Sequence, residues 1–305
     1  MMNVKDSREN IVKRHPSMWV VRSWALAGIS CVGLLFAARE TVAADLYWSS
    51  ATTASSLATC TDGQGSWQSS ASTSNRWFNP LTGTTQFWGS GASSGSNATV
   101  QIGVNNGSAA TVGNPMTIGS TGGSNNPNVG AIIFAKAGSN GYYLSAGSTA
   151  TNFTSQLTIN ATGTSGVSAG TGILVNADVV GDTTFTAIRS ATSGQLVVNL
   201  GSAPSQTWTN NSPTYALIFQ SNVAGAGKNL TTNGVGTVTL SATNSFNNLT
   251  VGGGTLRLTN AQASGTGSLT VRLLKLLVAE SVTVPTPLVV RFLPAPATLL
   301  WKIRA

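Results

Sequence analysis

Between residues 236 and 271 apolar side chains recur two apart, as Val238 and Leu240, Leu249 and Val251, Leu256 and Leu258, and Leu269 and Val271. Residues two apart on an extended chain share a side, so each pair predicts a short strand with one apolar and one polar face. The intervening segments 242–247, 252–253 and 260–266 are built from Asn, Gly, Ser, Thr and Ala, with one phenylalanine and one glutamine. Such Asn-, Gly- and Ser-rich segments accept positive φ or bond their own backbone, which makes them turns. A strand of this length cannot bury its apolar face alone. It is stable when successive coils stack around one continuous core, the logic of a solenoid.

Upstream, the same alternation of strand and turn continues with a weaker period. It predicts strands at 99–104, 131–134, 142–144, 156–159, 172–175, 183–188, 195–200 and 216–219. Turns are expected at 105–107, 122–127 and 224–227, where Gly, Asn, Ser, Ala and Pro cluster. No segment has a competing helical period. The irregular spacing leaves a β-sandwich as the alternative architecture, because short strands about 8 to 12 residues apart suit either fold.

The order of elements in 237–246, 249–258 and 263–271, with Thr237-Val238-Thr239-Leu240-Ser241 leading to Gly252-Gly253-Gly254-Thr255-Leu256 and then Gly267-Ser268-Leu269-Thr270-Val271, resembles one autotransporter-associated β-strand repeat. That repeat occurs in passenger regions of bacterial autotransporters and related surface proteins. The resemblance covers about one repeat of the chain. It implies an all-β, right-handed parallel β-helix exported to the cell surface of a Gram-negative-type bacterium, and it implies no reaction.

Composition agrees with a turn-rich β-protein: glycine supplies 34 of 305 residues, and only 8% are charged. A formal net charge of +8 raises nucleic acid or an anionic membrane as partners until the charges are located. They lie mostly at the ends. The stretch 45–271 holds five basic residues against four acidic ones, a net charge of +1, so a nucleic-acid reading has no basic patch to rest on. Residues 1–44 read as an export signal: a basic segment through Arg22, the apolar run 24–38, and the small residues Val42, Ala43 and Ala44 before a cleavage point at Ala44 or Asp45. The apolar run is about five residues short of the roughly 20 that cross a bilayer, so the mature chain is expected to carry no membrane-spanning segment. The basic lead-in is long for an ordinary signal, as it often is in autotransporter-type proteins.

Residues 45–97 form a distinct segment. Trp48, Trp67, Trp77 and Trp88, half of the chain's eight tryptophans, fall within it between loops of Gly, Ser and Asn. The segment resembles the opening unit common in proteins with this repeat. A solenoid end exposes apolar core and unpaired strand edge, and bulky aromatics can cover both, so the segment is expected to be an N-terminal cap. The sharper alternative makes the same four tryptophans a sugar-binding platform, since flat rings stack on pyranose faces.

Candidate chemistry is sparse. The single histidine, His15, falls in the signal, which leaves the mature chain without an imidazole for a nucleophile and base or for a histidine-ligated metal. Asp178 and Asp182 are the one close pair of carboxylates in 45–271. On one extended strand they would stand roughly 13 Å apart, beyond the separations glycosidases use. A turn at Gly181 could shorten this, and calcium bound by Asn176, Asp178 and Asp182 is the metal reading, although calcium usually takes six to eight oxygens. Cys60 is the only cysteine after the signal and has no basic neighbours in sequence to activate it, so it reads as an incidental loop thiol. No cofactor is expected.

After Val271 the pattern breaks, for residues 272–305 contain no glycine and no asparagine. This tail is expected to lie outside the fold, as the product of a shifted frame that ends a longer passenger or as a disordered end. Long alternating strands of the kind that build an outer-membrane barrel are also missing, so translocation would need a separate barrel. The sequence thus divides into a signal (1–44), a Trp-rich cap (45–97), a solenoid of strand repeats (98–271) and an atypical tail (272–305). The expected function is that of a secreted or cell-surface structural or adhesive protein, not an enzyme, with surface glycans or other surface proteins as partners. A carbohydrate-binding or carbohydrate-active extracellular β-protein is the alternative.

Overall fold

The alternation of inward and outward residues is realised as stacked coils. The structure, a computed structural model, describes residues 46–67, 76–86, 88, 98–103, 115–119, 126–135, 141–147, 154–163, 167–186, 195–271, 276–278 and 289–290. The export signal, the turns expected at 105–107 and 122–125, and most of the tail lie outside the described residues.

The first coil holds β1 (Leu46–Trp48) and β2 (Gly65–Trp67) and is followed by a hairpin of β3 (Trp77–Asn79) and β4 (Thr84–Gln86). The second holds β5 (Thr99–Ile102) and β6 (Met116–Ile118). From the third coil onward another strand precedes these two: β7 (Asn128–Val129), β8 (Ala131–Phe134) and β9 (Tyr142–Ala146), then β10 (Thr154–Ile159), β11 (Thr171–Val175) and β12 (Thr183–Phe185). The fifth coil is β13 (Gln195–Leu200), β14 (Ser205–Asn210) and β15 (Ala216–Phe219), and the sixth is β16 (Asn222–Ala224), β17 (Asn229–Gly234) and β18 (Thr237–Leu240). Two-strand coils return with β19 (Leu249–Val251) and β20 (Thr255–Leu258), then β21 (Leu269–Val271) and β22 (Leu276–Val278), before β23 (Val289–Val290).

Strands one coil apart pair in parallel and make three sheets among the described residues. The first runs β23-β21-β19-β17-β14-β11-β8-β5-β1-β3-β4, the second β2-β6-β9-β12-β15-β18-β20-β22, and the third β16-β13-β10-β7. The antiparallel pairs among them are β1 with β3 and β3 with β4. This is solenoid-type all-β architecture, not the β-sandwich alternative. Sandwich strands pair mostly antiparallel within two facing sheets, whereas here successive strands enter different sheets and pair a full coil later.

Register explains the core. Leu230, Leu249 and Leu269 occupy one row of the first sheet, and Val238 with Leu256 and Leu240 with Leu258 make two rows of the second; all are buried. Aromatics fill the middle coils, with Phe219 stacked on Phe185 at a centroid distance of 4.7 Å and on Trp208 at 4.3 Å.

Two of the longest strands, β14 and β17, fall where the apolar pattern predicts none. Gln206, Asn210 and Thr232 take inward positions on them and are buried, so each core face carries a single apolar residue, Trp208 on β14 and Leu230 on β17, and shows no apolar alternation. Asn210 holds its place by donating from Nδ2 to the carbonyls of Tyr215 (2.9 Å) and Thr237 (2.8 Å), while its Oδ1 accepts from the Ser212 N–H (3.0 Å).

The tail also departs from expectation. Leu276–Val278 pairs in parallel with β20, placing Leu276 opposite Leu256 and Val278 opposite Leu258, and Val289–Val290 pairs with β21. A parallel ladder needs only an extended backbone in register, so the shortage of Gly and Asn does not keep these segments out. No helix among the described residues is long and apolar enough to cross a membrane.

At turns, side chains substitute for missing strand. The third sheet ends on β16, where the Val223 N–H donates to Asn244 Oδ1 (2.8 Å) and Asn244 Nδ2 donates onward to the Ala263 carbonyl (2.7 Å). Gly254 turns the chain at φ 71°, and a Cβ there would stand 2.4 Å from the Gly236 carbonyl oxygen of the preceding coil. Replacing the buried Asn244 with Ala strands one backbone donor and one acceptor. The expected loss is about 2–4 kcal/mol, measurable by urea unfolding.

Candidate functional site

The four tryptophans of the first segment come together. Alternation in β1 turns Leu46 and Trp48 inward and Tyr47 away; β2 and β3 bring Trp67 and Trp77, and Trp88 follows β4. Ring centroids lie 5.3 Å apart for Trp48 and Trp77, 4.8 Å for Trp67 and Trp77, and 5.4 and 5.3 Å from Trp88 to Trp67 and Trp77. Every pair is edge-to-face, the arrangement in which the positive rim of one ring meets the negative face of the next, worth about 0.5–1.5 kcal/mol per pair beyond area burial. The Trp48 indole N–H donates to the Gly63 carbonyl at 3.1 Å. Gly65 makes room for the cluster, because a Cβ there would stand 2.8 Å from the Trp48 ring.

Burial decides what this cluster can do. Relative exposure is 0% for Trp48 and Trp67, 1% for Trp77 and 3% for Trp88. A sugar platform needs an open ring face, and none of the four presents one. Trp67→Ala should therefore cost about 3–5 kcal/mol, as large aromatic truncations in cores do, and should promote aggregation. A melting temperature unchanged by that substitution would overturn the packing role.

Asp178 and Asp182 are both exposed and flank the buried Val179 and a turn at Gly181, φ 88°. Asp182 ties coils together: its Oδ1 accepts from the Ala216 N–H at 2.8 Å and its carbonyl from the Tyr142 N–H at 3.0 Å. Among the described residues no group of three His, Cys, Asp or Glu side chains is assembled that could hold a metal ion.

A different carboxylate is the unusual one. Asp62, read in the sequence only as one charge among few, is 3% exposed between β1 and β2. Tyr142, at the start of β9, is buried as well. Burial, and then the Asp62 charge, push the Tyr142 phenol far above its ordinary value. Cys60 is buried too, packed with Ala54, Phe78 and Tyr47. Burial first and Asp62 second push its thiol up to about 11. A thiol so protonated at neutral pH is a poor nucleophile, which agrees with an incidental cysteine placed in a small core instead of an open loop. The composition held no signal for Asp62, since Tyr142 lies 80 residues away and two coils on.

Both raised values act in one direction on stability. Above an ordinary thiol value of 9.0 the unfolded chain releases the Cys60 proton while the folded chain keeps it, and the same holds for Tyr142 above 10.0. These contributions are complete below about pH 9 and are lost as pH rises. Urea midpoints should fall between pH 9 and about 11, and Cys60→Ser should flatten the fall in that window.

Comparison with known proteins finds no matching family model, no matching curated protein and no matching solved structure. The fold and the site therefore rest on the chain's own geometry.

Proposed function

We propose that this chain is an exported structural or adhesive protein of the autotransporter-passenger kind, a right-handed parallel β-helix displayed outside the cell without catalytic chemistry of its own. Right-handedness follows the strong preference of parallel crossover connections. The supporting observation is the in-register stack itself, which lines up uncharged polar side chains on its outward rows. Thr207, Thr231, Thr250 and Thr270 follow one another on consecutive strands of the first sheet, each half-buried. On the third sheet, Asn199 Nδ2 donates across strands to Gln156 Oε1 at 3.0 Å, with the exposed Thr154, Gln195 and Asn222 beside them.

Hydroxyl and amide rows without charge suit neutral glycans or uncharged protein surfaces and offer little to nucleic acid. The assay is binding of the secreted chain to an array of neutral and acidic glycans and to whole cells. Neutral ligands should be retained at high salt, and Thr250→Lys should lower binding by at least about ten-fold if the Thr row carries it. Absence of binding to every glycan and cell surface by well-folded protein would overturn the adhesive role.

A further inference from the structure

Five outward threonines share one register row of the first sheet: Thr171 pairs with Thr207, Thr207 with Thr231, Thr231 with Thr250, and Thr250 with Thr270. With strands about 4.8 Å apart, the row is a comb of hydroxyls about 19 Å long. Each threonine is half-buried, so its neighbours restrain it while part of it stays in solvent. Among the described residues none of the five hydroxyls has a hydrogen-bond partner within the protein. Other outward polar groups spend their capacity on one another. Where the same strands begin, Asn248 Nδ2 donates to Asn229 Oδ1 at 2.9 Å and Ser268 Oγ donates to Asn248 Oδ1 at 2.8 Å, and on the third sheet Asn199 bonds Gln156. On the other side the threonine row is not repeated. The next outward positions are Leu174, Thr209 and Asn233, and β19 and β21 end at Val251 and Val271 before reaching that row.

The free hydroxyls therefore form a line and not a lattice. A line of evenly spaced, uncharged groups that both donate and accept fits a ligand that is itself linear, uncharged and hydroxylated, with a repeat close to the strand spacing. An extended β-linked glucan of the cellulose type meets each condition, because every sugar advances the chain by close to one strand spacing. An α-linked glucan curls and loses the match after the first sugars. We infer that the threonine row binds an extended β-linked polysaccharide laid along the stack, one sugar to a coil. This rests on the adhesive reading above and names the ligand class of its threonine row.

Calorimetric titration of the full secreted chain with cello-oligosaccharides tests this. Affinity should rise by at least about ten-fold from cellobiose to cellopentaose, as more rungs are engaged, and then level off at cellohexaose. Maltopentaose, of the same composition but curled, should bind at least about ten-fold more weakly than cellopentaose. Thr207→Val and Thr250→Val keep a β-branched shape and remove the hydroxyl; each should lower cellopentaose affinity about five-fold with an unchanged urea midpoint, while Thr209→Val in the neighbouring row should bind as wild type. Affinity that does not grow with chain length, equal binding of maltopentaose, or valine variants that bind as wild type would each overturn the inference. If the chain holds to other glycans or to cells but to no cello-oligosaccharide, the inference fails while the adhesive reading stands; if it binds none of them, both fail.

Discussion

Everything in this protein depends on each coil finding its backbone partners one coil away, about 4.8 Å along the stack. Register follows from that constraint. When Thr231 pairs with Thr250 and then with Thr270, Leu230, Leu249 and Leu269 are brought into one buried row. A one-residue slip would turn that row outward and bring the threonines in. Turns then have to close without disturbing register, and they do so with amide side chains that reach the neighbouring coil: Asn210 to Thr237, Asn244 to Ala263, and Asn248, whose Oδ1 accepts from the Ser268 N–H at 3.0 Å. The abundance of asparagine is a structural requirement before it is anything else.

The N-terminal end meets a problem that interior coils do not have. Among the described residues no earlier coil covers the core of the first or pairs its edge. In the first sheet the chain turns back, so that β3 pairs antiparallel with β1 and β4 with β3, moving the free edge to a strand of three residues. Short edges are poor templates for pairing with other chains. The same reversal sets Trp77 directly opposite Trp48 and Phe78 opposite Tyr47. One pair closes the main core; the other joins Cys60 and Ala54 in a separate small one. A single antiparallel strand thus serves both faces, which explains why the tryptophans concentrate here.

The repeat at 236–271 was legible because its apolar residues obey a strict period of two, and strands such as Thr237–Leu240, Thr255–Leu258 and Leu269–Val271 stand where that period places them. Middle coils were harder. Ser205–Asn210 carries one apolar residue, Trp208, between Gln206 and Asn210, whose buried amides are satisfied by partners remote in sequence, such as Ile159 and Thr237. Periodicity cannot see a polar side chain made tolerable by a carbonyl from another coil. The tryptophan segment was visible as a density of aromatic residues, yet whether the rings faced inward or outward depended on strand pairing that no local pattern encodes. Asp62 is the extreme case, a buried acid whose charge acts on a tyrosine two coils on.

Stacking also accounts for the low charge of the repeat region. In a register-locked stack an outward position recurs on the next strand at the strand spacing, so a repeated charged residue would face its own copy. Two like unit charges about 4.8 Å apart repel by roughly 0.9 kcal/mol even in water, and the repulsion recurs at every coil. Threonine and asparagine stack without that penalty and can bond across strands, as Asn199 does with Gln156. Arg257 stands in register between the uncharged Thr239 and Leu277, and Lys228 donates to the Ser202 carbonyl at 3.1 Å. A neutral surface is therefore imposed by the fold, and any partner of these rows has to be recognised through hydroxyl and amide hydrogen bonds and through shape, because the architecture that builds the rows excludes runs of charge.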